Sequence, residues 1–164
     1  MGPVELLVFT FPAGAEAEEA LARLHSLKRA GELALINAAV VRKDETGRLH
    51  IKDPGDLDRG QGALFGAVSG ALLGLLAGPA GAVIGAIAGA TTGGVAAGKL
   101  DMGIPDDALR LLGTNLAAGG ATLVVVLEQS QVARVTAAIA DFTATPLRQP
   151  LAPDWVEQFE AGEE

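Results

Sequence analysis

The sequence has no cysteine, no tyrosine and only two histidines. Without cysteine there is no disulfide framework, no thiolate metal site and no cysteine nucleophile. Asp, Glu, Lys, Ser and Thr are then almost the only groups left for acid–base or nucleophilic chemistry, so enzymatic activity is not expected. Positive charge is also short: 12 Lys and Arg stand against 20 Asp and Glu, and a net charge of −8 repels a phosphate backbone. No local basic patch offsets that balance, which argues against nucleic acid as a partner. Residues 1–5 carry no basic stretch followed by an apolar core, so no signal peptide is expected and synthesis is expected in the cytoplasm. Gly2 is followed by Pro3, without the Ser or Thr that a myristoylation signal wants. The longest absence is of charge itself, since no residue between Arg59 and Lys99 is ionisable.

A chain of 164 residues fits one domain with a real core. Residues 4–11, VELLVFTF, have the length and composition of a strand and are closed by Pro12 and Gly14. From 15 to 30, Ala17, Ala20, Leu21, Leu24 and Leu27 recur at helical spacing, with acids leading and bases trailing as the helix dipole favours. Gly31 ends that helix; an apolar run, 33–42, follows, then a turn at 43–47 and a short strand at 48–52. A second unit repeats the order: a strand at 121–128, a helix near 131–142 and an extended segment at 145–151. Two βαβ halves, 1–52 and 119–152, predict an α+β, ferredoxin-like fold with an antiparallel sheet. The tail, 153–164, places Trp155 and Phe159 one helical turn apart.

Between the halves, glycines fall in two series: Gly62, Gly66, Gly70, Gly74 and Gly78, then Gly81, Gly85, Gly89 and Gly93. A four-residue interval sets each series on one side of a helix and lets another backbone approach closely. Pro79 marks the turn of the inserted helical hairpin, 59–99. Each interior glycine costs a helix about 0.5–1 kcal/mol relative to alanine, so close helix packing must compensate. Leu64, Phe65, Val68, Leu72, Leu73, Leu75 and Leu76 interleave with the glycines, unlike a polar flexible linker. A helix over 61–77 spans about 26 Å, which permits membrane insertion without requiring it. The second helix has only Val83, Ile84, Ile87 and Val95 as large apolar residues and inserts only with its partner.

Chemical motifs are weak. Gly93 to Leu100 approximates a phosphate-binding loop, but Leu100 stands where Ser or Thr must hold magnesium. Gly60 to Gly66 resembles a dinucleotide fingerprint with one residue too many, after a polar turn rather than a strand. His25 and His50 have no second ligand at metal spacing. Asp106 and Asp107 follow Pro105, where they suit the start of a short helix, 105–118. No catalytic, cofactor-binding or metal-binding residue is assigned, and no cofactor is expected.

The opening strand, the helix 17–28, the turn 44–48, the double glycine series, Gly103-Ile104 with Asp107, and the strand 122–128 together resemble an uncharacterised bacterial family. It is usually labelled "predicted membrane protein", a domain of unknown function of the 1269 type. The resemblance implies a membrane-associated protein of unknown biochemistry. The expectation is a non-enzymatic, self-associating protein on the cytoplasmic face of a membrane, with Gly66, Gly70, Gly74, Gly85 and Gly89 carrying helix contacts. Its partners are then further copies of the chain and the lipid bilayer. Two alternatives stand beside it: a soluble cytoplasmic homo-oligomer whose hairpins form a buried hub, and a small-molecule binder or enzyme of dimeric α+β barrel type.

Overall fold

The computed structural model describes residues 2–43, 49–52 and 120–151, together with residues 153 and 157. Seven elements follow in order: β1 (Val4–Phe11), α1 (Gly14–Arg29), β2 (Asn37–Lys43), β3 (Leu49–Lys52), β4 (Ala121–Glu128), α2 (Val132–Ile139) and β5 (Thr145–Pro150). A 3-10 turn, Gln129–Gln131, leads into α2. The five strands form one sheet in the order β3-β2-β4-β1-β5, and every neighbouring pair is antiparallel. The α+β expectation holds.

α1 forms because Ala17, Ala20, Leu21 and Leu24 make one buried stripe, with Glu16 in the first turn and Lys28 and Arg29 in the last. It stops at Gly31, whose φ of 75° admits few side chains. There the Glu32 N–H donates to the Leu27 carbonyl at 3.0 Å and the Gly31 N–H to Lys28 at 3.1 Å, closing the helix by the Schellman pattern. The sequence placed this stop correctly.

Two boundaries shift from those expected. The apolar run 33–42 becomes ladder only from Asn37. At its start Ala34 N–H donates to Gln131 Oε1 in the 3-10 turn at 3.2 Å, while Ile36 N–H already donates to the Val126 carbonyl of β4 at 3.0 Å; just ahead of the run, Arg134 Nη1 of α2 donates to the Glu32 carbonyl at 2.8 Å. Helix α2 is shorter than the span 131–142, because 3-10-type bonds from Ala140 to Ala137 and from Phe142 to Ile139 tighten its end. That tightening turns Phe142 inward to meet Phe11 edge to face, with ring centroids 6.1 Å apart.

Both helices pack on one face of the sheet. Leu7, Phe9, Phe11, Ala38, Val40, Leu123, Val125 and Leu127 meet α1 and α2 in one cluster. The alternate residues, Val4, Leu6, Val8, Ala39, Val41, Val124 and Val126, lie on the second face and are equally buried, none more than 4 % exposed. Two-sided burial is why β1 and β4 read as nearly continuous apolar runs rather than alternating ones. The hairpin 59–99, the helix 105–118, the pair Asp106 and Asp107, the loop 93–100 and the aromatics Trp155 and Phe159 lie outside the described residues.

Candidate functional site

The most specific polar arrangement joins β1 to the edge strand. Glu5 sits inside an otherwise apolar strand, and its side chain is only 2 % exposed. A buried carboxylate is costly unless paired and hydrogen-bonded. Arg148 of β5 supplies the pair as a two-pronged contact, with Nη2 donating to Oε1 at 2.6 Å and Nε donating to Oε2. The register explains the geometry: Leu7 stands opposite Arg148 and Glu5 opposite Pro150, so acid and base are diagonal neighbours on the helix side. Hydrogen bonding from Arg148 holds the Glu5 carboxyl below its usual range. Burial opposes this, while attraction to the guanidinium and a hydrogen bond from Gln129 add to it. The same contact raises the Arg148 pKa.

Arg148 borders an open groove of about 580 Å³ between α2 and β5, floored by Val132, Ala133, Thr136, Ala137 and Ala140. The Thr136 hydroxyl donates to its own helix, to the Val132 carbonyl at 2.8 Å. With that hydroxyl and the guanidinium both engaged, the groove offers an apolar shelf and no converging nucleophile, base and acid. A second clamp ties the helices together. Arg23 donates to the Ala138 carbonyl at 3.0 Å, pairs with Asp141, and lies 4.5 Å over the Phe142 ring. The hydrogen bond from Arg23 to the Asp141 carboxylate lowers the Asp141 pKa. Arg42 pairs with Glu18 at 3.1 Å across the top of α1.

The edge beyond β5 is closed by proline. Leu151 donates to the Val4 carbonyl at 3.0 Å, which fixes the phase of the ladder. Thr145, Leu147 and Gln149 therefore turn their backbone groups toward β1, and Pro146, Arg148 and Pro150 turn theirs outward. Two of those three outward positions have no N–H to offer a further strand.

Every glycine of the two series, from Gly62 to Gly93, lies outside the described residues. His25 is half-buried on α1 and His50 belongs to β3. Among the described residues no group of three or more His, Cys, Asp or Glu is placed to hold a metal, and no helix is long and apolar enough to cross a membrane. Sequence reasoning missed the Glu5–Arg148 pair. The available signal was a lone acid in an apolar strand matched by a lone base in the last strand.

Among the described residues, fold and site define an α+β protein with two helices on one face of a five-stranded antiparallel sheet and an internal ion pair that fastens the edge strand. Residues 63–161 match the family described as Protein of unknown function (DUF1269), and the chain belongs to that family. No curated protein and no solved structure matches it.

Proposed function

We propose that the protein is a non-enzymatic, self-associating membrane protein: a ferredoxin-like domain carries the glycine-zipper hairpin 59–99, which inserts into the bilayer and packs against its own copies. The observation that carries this reading is the charge-free interval between Arg59 and Lys99 with its two four-residue glycine series. The family match supports it, since it begins at residue 63, within the first series, and runs through β5. The strand order supports the ferredoxin-like assignment. Without the short outer β3 it reads β2-β4-β1-β5, so that each helix-linked pair of strands brackets a strand of the other half.

The test is partition after lysis without detergent, an alkaline carbonate wash, and light scattering of the recovered protein. Retention in the washed pellet, with a defined oligomer that Gly70→Leu and Gly85→Leu both break, is the expected result. Release as a soluble particle of many subunits would replace the bilayer by a buried protein hub. An unchanged oligomer mass in both variants would remove the zipper contact from either picture.

A further inference from the structure

Helix α2 turns one face away from the sheet. Ala133, Thr136, Ala137 and Ala140 are all exposed there, and with Arg148 of β5 they border the open groove of about 580 Å³. The chain leaves the sheet at one end of this groove. Gln129, which lines it, gives its N–H to the Pro3 carbonyl at 2.8 Å, and Leu151 gives its N–H to the adjacent Val4 carbonyl at 3.0 Å. From that end α2 leads away toward Phe142, which meets Phe11 at the other end of β1. Residues 152–164 follow Leu151 and carry Trp155, Phe159 and several acids, but no base. Pro153 and Glu157 are helical and exposed. Residues four apart share one side of a helix, and a residue two further on lies about 200° around. A helix that shows Pro153 and Glu157 to solvent therefore carries Trp155 and Phe159 on its other side.

We propose that the tail folds back along α2 and seats Trp155 and Phe159 in the groove between α2 and β5. Reach allows it: Arg148 lies three strand residues, about 10 Å, behind Leu151, and the four steps from Leu151 to Trp155 span up to about 13 Å. The bonds from Arg148 to Glu5 lie in the guanidinium plane, so they leave its face for the indole ring, and the side chain is 51 % exposed. One helical turn on, about 6 Å, Phe159 matches the step from Ala133 to Ala137, whose small side chains leave room for a ring. A tail without a base also brings nothing that competes with Arg148 for Glu5. The contact does not depend on where the hairpin lies, so it stands or falls apart from the proposed assembly.

The experiment uses the full chain, which has no cysteine, no tyrosine and one tryptophan. Phe159→Cys is combined either with Ala137→Cys, on the groove, or with Ala15→Cys, an exposed alanine of α1. Under mild oxidation the groove pair should form a disulfide within one chain about tenfold faster than the α1 pair. In a second measurement, Ala137→Glu should shift the Trp155 emission to longer wavelength and open it to quenching by acrylamide, whereas Ala15→Glu changes neither. Both substitutions fall on exposed helix positions, so neither threatens the fold. Equal rates for the two cysteine pairs overturn the proposal, as does a Trp155 emission that ignores Ala137→Glu. Disulfides between chains at the groove pair also overturn it, and give the groove to the tail of another copy.

Discussion

Removing Arg148 and removing Glu5 should have very different consequences, although both break the same ion pair. In Arg148→Met the long apolar stem is kept, but the carboxylate of Glu5, only 2 % exposed, loses both guanidinium bonds. Among the described residues, Gln129 remains as a side-chain donor. Breaking a buried pair from one side costs about 3–5 kcal/mol. Arg148 is 51 % exposed, so its loss opens the site to water and puts the stranded Glu5 carboxylate near the low end, about 3 kcal/mol. For a chain of this size that is a fall in melting temperature of about 6–12 °C. In Glu5→Leu the freed guanidinium turns to solvent and an apolar side chain fills an apolar strand, so the change is about 1 kcal/mol or less. The double variant should return close to the parent.

Acid separates these cases further. In the parent, the folded Glu5 carboxyl titrates below its unfolded value. The unfolded chain thus binds more protons between the two values, so this stabilisation is complete above the unfolded pKa and is lost as pH falls toward the folded one. In Arg148→Met burial becomes the dominant influence and pushes Glu5 upward. The sign then reverses, and the variant recovers stability as pH is lowered through the raised folded value, because the neutral acid tolerates burial. Thermal melts of the four proteins at neutral and mildly acidic pH make the comparison. If Glu5→Leu costs as much as Arg148→Met, or if acid fails to rescue Arg148→Met, the pair is held by direct attraction and the desolvation argument is wrong.

Three further outcomes follow from the described residues. Gly31→Ala places a Cβ at φ 75° with nothing within 4 Å, so the penalty is purely conformational, about 1 kcal/mol by denaturant titration, and Gly31→Asn recovers part of it. Leu24→Ala, at a fully buried position where α1 meets the sheet, should cost about 3 kcal/mol in the same titration, and a cost below about 1 kcal/mol would mean that α1 does not pack as described. Replacing Pro146 and Pro150 together by Thr gives the outer edge of β5 two new N–H donors. Light scattering should then show concentration-dependent association, and a double variant as monodisperse as the parent would remove proline from the defence of that edge.

The strands and helices were legible because their signals are local. The run 4–11, the stop at Gly31 and the repeated strand-helix-strand order each depend on a few adjacent residues. What the sequence hid is relational. Nothing near Glu5 announces that Arg148 stands diagonally across a strand pair, because that depends on a register set 143 positions away. The residues 33–36 looked like strand since Leu33, Leu35 and Ile36 are apolar and buried, but Ala34 gives its N–H to the Gln131 side chain and only Ile36, at the end of the stretch, donates to β4.

The burial of both sheet faces constrains what the family's unit can be. The family match begins at residue 63 and so includes β4, α2 and β5 but none of β1, α1, β2 or β3. Yet β4 lies between β2 and β1, and β5 pairs with β1. Within the described sheet, removing residues 1–62 would leave β4 and β5 without a strand between them and strip both ladders from β4. The apolar runs of β4 would then expose backbone donors on two sides, and Arg148 would lose the carboxylate that engages it. The matched segment therefore cannot keep this sheet alone. A fragment beginning at residue 63 should either fail to fold or recruit residues 1–62 supplied as a separate chain, and mixing the two fragments and following the return of β-sheet circular dichroism distinguishes that dependence from an autonomous matched unit.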